Sequence, residues 1–572
     1  MESKNTPYWK TIIDEKVRPA FITPWKDDKA DTHFKEVIAE AIDGINALKG
    51  DKSEPQCFLG KPEYLIVDEE GIQDVKRKAE IPQTTSTMEQ VIEEVVPYFN
   101  GLYNLAHPKS MFNVVPAAGV PSITGSLLGS MFNPNLVEQE YSGNVAALEI
   151  EVSSMISKLI GYDPEKSQGH FTFGGTGAYL FGMKLALTKC LGRSSREKGV
   201  RKDAQVLVSE VGHYAALNCS DWSGLGTDNV RRVKLNDDNS MDLEDLDRVM
   251  EQCWQEGKPV AEIVATCGTT DAFGVDDIKG IREVVDAYVE RHDLKERPFI
   301  YADAVIGWAW TVFNTYDFQD NPLGFSQAAL EAIKECKEKV QYLYMADAIG
   351  IDFHKTGFSS YNCTLVLTKD KDDLDLLVRE HDAMAYLYQF SAYTPGTYTL
   401  ECSRGGNYAL AAWCNLKYFG LEGYQALLGE LIEAQISLRR AMEQERSVVC
   451  VNPKDYGFVT LFRVYPQKLA EKVTAEDEYF REFTDPAYEE NLERYNRFQM
   501  NVAAALRSRT FSQGGPAMSC TSCFRTNEHG RPVAALKAYP MTPFRDCDPE
   551  QIKRDVLDFI LEAAKDVESQ QD

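Results

Sequence analysis

Between about residues 115 and 370, short apolar β-rich runs alternate with amphipathic helical stretches. The runs fall at 204–208, 263–267, 299–302, 342–345 and 363–367. Strands separated by helices are joined by crossovers, and crossovers build a mostly parallel sheet covered on both faces. The chain therefore reads as α/β. Ligands of such sheets sit beyond the carboxyl ends of the strands. Chemically loaded residues just after each run are accordingly the candidates for a site.

The flanking regions differ in texture. The first 110 or so residues mix charged helical stretches with Pro-containing turns. One stretch, 31–48, places Phe34, Val37, Ile38, Ile42, Ile45 and Leu48 at helical spacing. Beyond about residue 415 a long helical stretch (421–444) is followed by strand-like 457–464, a charged helical segment, strand-like 532–539 and a last helix at 551–564. The 572 residues allow about three domains. We read them as an N-terminal helical segment (1–110), a large α/β domain (111–415) and a small α+β domain (416–572).

Charge and cysteine usage exclude some classes. There are 61 Lys and Arg against 88 Asp and Glu, a net charge of −27. Nucleic-acid binding requires clustered positive charge, so no nucleic-acid partner is expected. The start, MESKNTPYWK, lacks the basic and apolar regions of a signal peptide. No run of about 18 apolar residues suits a membrane span. The 13 scattered cysteines suit a reducing compartment, and a cytoplasmic location is expected. Cys520 and Cys523 have zinc-like spacing, but no second pair completes four ligands. No metal site is expected.

Five motifs stand out, most of them just after these runs. Phe171–Ala178 carries Gly174-Gly175-Thr176-Gly177 into a helical stretch. Glycines opening a helix present backbone N–H groups and a positive dipole end to an anion, although the same pattern serves plain turns. Gly212-His213-Tyr214 follows the first run, and Gly268-Thr269-Thr270 closes the second. Asp303 ends the third, where a buried carboxylate is costly without a cationic partner. Last, Asp352-Phe353-His354-Lys355 follows a small, apolar stretch. A lysine desolvated there loses basicity and becomes nucleophilic. Each motif alone has an ordinary structural reading: a turn, a core histidine, a salt bridge, a surface lysine.

The ordered set Gly-Gly-Thr, His-Tyr, Gly-Thr-Thr, Asp-Ala, His-Lys resembles the group II pyridoxal 5′-phosphate-dependent amino-acid decarboxylases, from about His107 to the C-terminus. The stretch 210–230 is especially similar to glutamate decarboxylases. The resemblance implies pyridoxal 5′-phosphate as cofactor, the fold type I architecture of PLP-dependent transferases, and a homodimer. It makes Lys355 the Schiff-base lysine, Asp303 the partner of the pyridine nitrogen and His213 the ring-stacking histidine. Gly175, Thr176 and His354 match phosphate-side positions, and Thr269, Val305 and Asp352 lie at the cofactor. Tyr386-Leu387-Tyr388-Gln389, Tyr393 and Arg404 match a mobile catalytic loop that reaches the partner subunit's site, with Tyr393 protonating the product carbon. His107 and Lys537 match substrate-binding positions.

The implied reaction is decarboxylation of a small-molecule L-amino acid to its amine, tilted towards small acidic substrates such as glutamate, aspartate or cysteine sulfinate. Lys109, Lys537 and Arg404 are cations that could serve an acidic side chain, and equally could be structural or bind the carboxylate. An aromatic, tyrosine-type substrate and an aldehyde-synthase or other carbon–carbon lyase outcome are the alternatives. Three departures bear on this. Ala215 replaces a usual Ser, Val305 a smaller Ala, and Lys537 an Arg. The last exchange keeps the charge and loses the bidentate fork.

Overall fold

Alternate residues of the central strands go to opposite layers, as a period of two requires. In the computed structural model Val206, Val208, Val264, Tyr301, Ala348 and Val366 face one helical layer, with Ala178, Tyr179 and Met183 of the helix Gly175–Leu191. Leu207, Ile263, Ile300, Ile349, Ile351 and Leu365 face the other, with Ile156, Val249, Ile281 and Ile333. Both faces are thus apolar, which is why these strands read as unbroken hydrophobic runs.

The structure describes residues 7–26, 31–51, 56–62, 64, 66–201, 203–385, 387, 390–452, 457–544 and 548–570. Twelve strands are named here in chain order: β1 (Ser110–Met111), β2 (Gln168–Thr172), β3 (Gln205–Ser209), β4 (Val230–Val233), β5 (Val260–Thr266), β6 (Phe299–Asp303), β7 (Ala348–Asp352), β8 (Thr364–Thr368), β9 (Val448–Cys450), β10 (Thr460–Val464), β11 (Ala517–Thr526) and β12 (Pro532–Ala538). The large sheet has the order β2-β8-β7-β6-β5-β3-β4. Its β4-β3-β5-β6-β7 part is parallel, and β8 runs antiparallel to β7 and β2. The expected α/β class and mostly parallel sheet are what the chain adopts.

A second sheet has the order β1-β11-β12-β10-β9. Two elements of the sequence reading shift. Residues 342–345 form a 3₁₀ turn, Leu343–Met345, and the strand is the following β7. The long C-terminal helix begins at Asn407, not near 421, and breaks its geometry at Gly420, whose φ is 58°.

The chain divides into two compact units, Met1–Asn104 with Ser508–Gly515, and Leu105–Arg507 with Pro516–Asp572. The first holds the helices Thr32–Asn46, Glu69–Lys78 and Met88–Val95. Thr87 and Gln90 close a capping box on the third. Both sheets and every candidate site residue belong to the second. Among the described residues, no helix is long and apolar enough to cross a membrane.

One feature of the core is unusual. Glu262 on β5 is fully buried, and both its carboxylate oxygens lack a partner among the described residues. Burial pushes its pKa up to about 8, so the side chain keeps its proton at neutral pH.

Candidate active site

The carboxyl ends of β6 and β7 bring Asp303 and Asp352 to one edge of the sheet. The helix Gly175–Leu191 starts beside them. A Cβ on Gly175 would lie 3.0 Å from Asp352 Oδ2 and 3.4 Å from Val305 Cγ1, so only glycine fits this approach comfortably. Gly174, with φ 118°, makes the turn into the helix, and no side chain caps that helix. Its first turn therefore offers backbone N–H groups to an anion.

Between these elements lies a cavity of about 310 Å³. Its walls include Gly175, Thr176, His213, Asp303, Val305 and Lys355, with Asp352 and His354. Eight of the positions marked in the sequence thus converge on one cavity.

Lys355 Nζ lies 3.0 Å from Asp352 Oδ2. Thr364 donates its hydroxyl to the other oxygen, Asp352 Oδ1, at 2.6 Å. Asp352 therefore stays bonded whether or not the lysine amine is engaged elsewhere. His354 stands 3.5 Å from Asp352 Oδ2, and its Nδ1 is 3.1 Å from the Cys363 carbonyl oxygen. Burial lowers its pKa, with Asp352 pulling the other way.

His213 Nδ1 accepts a bond from the Ala215 backbone N–H at 3.1 Å, which leaves the ring proton on Nε2. Burial lowers its pKa, while the Asp303 charge opposes the shift. Asp303 is 6 % exposed, and its Oδ1 has no partner among the described residues. Burial raises its pKa; His213 and Lys355 work against that. An unpartnered buried carboxylate oxygen facing a cavity calls for a cationic donor from a ligand.

Three marked residues lie apart from the cavity wall. Thr269 is buried and accepts the Gly274 amide at 2.8 Å, bracing the turn after β5. His107 Nδ1 accepts the Lys109 amide at 3.1 Å. Lys537 on β12 bonds Asp271 Oδ1 at 2.6 Å.

Tyr393 lies away from the cavity of its own chain. Its hydroxyl donates to Glu149 Oε2 at 2.6 Å, and its ring is buried in the core. Arg404, expected in the same loop, donates to Glu149 Oε1 at 2.6 Å and to the Phe171 carbonyl at 3.0 Å. These groups form a buried ion-pair cluster that ties residues 393–404 to β2, so the phenol is not poised at the cavity of its own chain. Tyr386, Tyr388 and Gln389 lie outside the described residues. Tyr393→Phe is expected to cost about 1.5–3 kcal/mol of stability, the size of a hydrogen bond to a charged group, and to leave kcat near wild type. Thermal melts and kcat decide it. A rate loss of about 10²–10⁴ would restore the proton-donor role.

Comparison with known proteins decides the family. The model described as the pyridoxal-dependent decarboxylase conserved domain matches residues 72–305 and 331–464. The chain belongs to the pyridoxal-dependent decarboxylase family. It is a PLP-dependent carboxy-lyase acting on an amino acid. The L-2,4-diaminobutyrate decarboxylase of Acinetobacter baumannii is 25% identical over 402 residues, covering 66% of this chain and 72% of the relative. The aspartate 1-decarboxylase of Aliivibrio fischeri is 25% identical over 405 residues, covering 66% and 68%. Among solved structures, mouse CSAD in apo form superposes with a TM-score of 0.72 at 18% identity, covering 94% of this chain and 99% of that one. Oryza sativa TDC with PLP and tryptamine gives 0.71 at 15%, covering 95% and 99%. At these identities the structural likeness speaks for the fold. The decarboxylase's cavity fits the cofactor: an amine, an unpartnered carboxylate oxygen and a helix start meet in it.

Sequence reasoning missed several residues here. Phe173, Tyr179, Tyr361 and Asn362 also line the cavity. Of these, Tyr179 sits in the helical stretch already marked, and its four-residue offset from Gly175 could have flagged it. Tyr361 and Asn362 carried no local signal.

Proposed function

We propose that the chain removes the α-carboxylate of an L-amino acid as carbon dioxide and releases the amine, with Lys355 and Asp303 as its catalytic residues. The observation that carries this is the convergence of the Lys355 amine and the unpartnered Asp303 Oδ1 on one cavity. Bound pyridoxal phosphate supplies the electron sink for the bond that breaks.

The chain's own groups do the rest. Lys355 Nζ would hold the cofactor, and its amine would serve as the base in the cavity. Asp352, held by Thr364, steadies that amine. Asp303 would hold the proton on the ring nitrogen, a charge-assisted bond contributing about 1.5–3 kcal/mol. Gly174, Gly175 and Thr176 would take the phosphate at the helix start, with His354 beside them. His213 would cover one ring face and leave the other to the substrate.

The relatives act on diaminobutyrate, aspartate and tyrosine, so the family fixes the reaction and not the side chain. The acidic tilt rests on the likeness of residues 210–230 to glutamate decarboxylases, with Lys109, Lys537 and Arg404 as cations that serve an acidic side chain only if they are not structural. Arg404 is taken by Glu149 and Lys537 by Asp271. Homodimerisation is part of the same reading. Its support is the exposed apolar row Val120, Ile123, Leu127, Leu128 and Phe132 on the helix Val120–Phe132.

The test is incubation of the purified chain with pyridoxal phosphate and each common L-amino acid, cysteine sulfinate and 2,4-diaminobutyrate, following carbon dioxide, amine and ammonia. Carbon dioxide with matching amine is expected, from protein that light scattering sizes at twice the chain mass. Carbon dioxide with ammonia and aldehyde would replace the reading by an oxidative one, and no carbon dioxide from any substrate overturns it.

A further inference from the structure

A second cavity, of about 690 Å³, lies where four elements meet. They are the helices Val145–Ile160 and Gln327–Val340, the 3₁₀ stretch Gly307–Phe313 and the long helix Asn407–Glu443. This cavity shares no lining residue with the one at Lys355. Two of its residues, Trp308 and Tyr424, contact the segment that carries Lys355. The Trp308 ring packs edge-on to Phe353 with centroids 5.1 Å apart, and the Tyr424 hydroxyl donates to the Gly357 carbonyl oxygen at 3.1 Å. Both rings are buried, and with Leu159, Val312 and Leu416 they make the wall largely apolar.

The charged groups of the wall share one sign. In a chain of net charge −27, no Asp or Glu is among the described residues lining this cavity, while Lys158 and Lys337 are. Both lysines lie in the last turn of their helices, where their charge also balances the carbonyl ends. Neither pairs with a carboxylate among the described residues; Lys337 Nζ donates to Gln341 Oε1 at 3.2 Å. A third source of positive potential is the break at Gly420, whose ψ of −167° ends one helical run. The next run starts at Leu421 on the cavity wall, and a helix start carries free backbone N–H groups and the positive dipole end. Two buried polar atoms of lining residues also lack a partner among the described residues: Trp308 Nε1, a donor, and Asn314 Oδ1, an acceptor. The Asn314 amide nitrogen donates to the Leu159 carbonyl oxygen at 3.2 Å. Unmet buried donors and acceptors call for a ligand or water that supplies the complement.

We propose that this cavity is a binding site, distinct from the catalytic one, for an aromatic carboxylic acid that carries one N–H or O–H donor. Lys158, Lys337 and the helix start at Leu421 attract the carboxylate, and the apolar wall takes the ring. Trp308 Nε1 donates to an acceptor of the ligand, and Asn314 Oδ1 accepts from its donor. A volume of this size is in the range of small-molecule sites, about 300–1,000 Å³. An amine would meet like charge here. A pure hydrocarbon would leave both polar atoms unmatched.

The experiment is titration calorimetry on the PLP-loaded protein. The probes are indole-3-acetate and 4-hydroxyphenylacetate, with indole-3-acetamide as the uncharged counterpart. Wild type should bind one molecule of each acid with Kd on the order of 10–100 µM. The amide should bind about tenfold more weakly, the size of two partly exposed ion pairs. Lys158→Gln/Lys337→Gln should lower the affinity for the acids about tenfold and leave that for the amide unchanged, which also shows that the cavity is intact. Leu421→Asp places a carboxylate at a helix start, where it suits the fold, and should weaken the acids by at least as much. The proposal is overturned if neither acid binds, or if the amide binds as tightly as indole-3-acetate. Acid binding that both variants leave unchanged also overturns it, because the acid then sits elsewhere, the catalytic cavity included.

Discussion

Lys355→Ala should release no measurable carbon dioxide and show no visible absorbance from covalently held cofactor. The loss in kcat is expected on the order of 10⁵–10⁶, the scale seen when a covalent catalyst loses its nucleophile. The physical ground is that Lys355 is the only lysine among the described residues of the cavity wall. The change should not unfold the protein, because Asp352 keeps the Thr364 hydroxyl at 2.6 Å and has His354 at 3.5 Å. Lys355→Arg separates charge from chemistry. It preserves the cation beside Asp352 but offers no amine that can be deprotonated, so it should melt like wild type and still be inactive. Turnover in either variant above a small fraction of wild type, or a persistent absorbance band, would remove Lys355 from the centre of the site.

Why the centre was legible, and its surroundings were not, follows from range. The residues of the cavity come from strand ends, and strand ends were visible because both faces of the sheet are buried and the strands are continuously apolar. Strand β7 hid behind its own packing. Its Gly350 must be small, since a Cβ there would collide with the Tyr301 hydroxyl, and the Ala, Gly and Asp that make up three of its five residues are poor strand formers. The neighbouring Tyr342–Met345 looked more strand-like and is a turn. Partners distant in sequence were invisible altogether. Tyr393 meets Glu149 from 244 residues away, and Lys537 meets Asp271 from 266. A motif match marks that a tyrosine or lysine is present; whether it faces a ligand or a buried carboxylate is decided by the tertiary fold. The acid at 271, directly after Gly268-Thr269-Thr270, was the one local sign available.

Asp303→Asn should retain the covalently bound cofactor, with its absorbance band, and lose on the order of 10²–10³ in kcat, as when one group aimed at developing charge is removed. The asparagine keeps the shape and the position at the end of β6 but carries no charge to hold a proton on the ring nitrogen. Without that proton the ring draws electrons weakly, so the deficit should lie in the bond-breaking step and appear in single-turnover rates as fully as in kcat. A second signature is available without substrate. In the cofactor-free protein Asp303 is buried, and burial raises its pKa above the ordinary aspartate value, against the pull of His213 and Lys355. A raised carboxylate pKa means that the folded state binds more protons than the unfolded one, so this group costs stability as pH rises from the unfolded value of about 4. Cofactor-free Asp303→Asn is therefore expected to melt above cofactor-free wild type at pH 7, with the gap closing as pH falls towards 4. Melts of both proteins across that range, beside single-turnover rates of the loaded forms, test the two halves separately. A variant that keeps most of its rate would take the ring-nitrogen role from Asp303, and a gap that widens with acid would mean that the carboxylate is held in its charged form by a partner other than the cofactor.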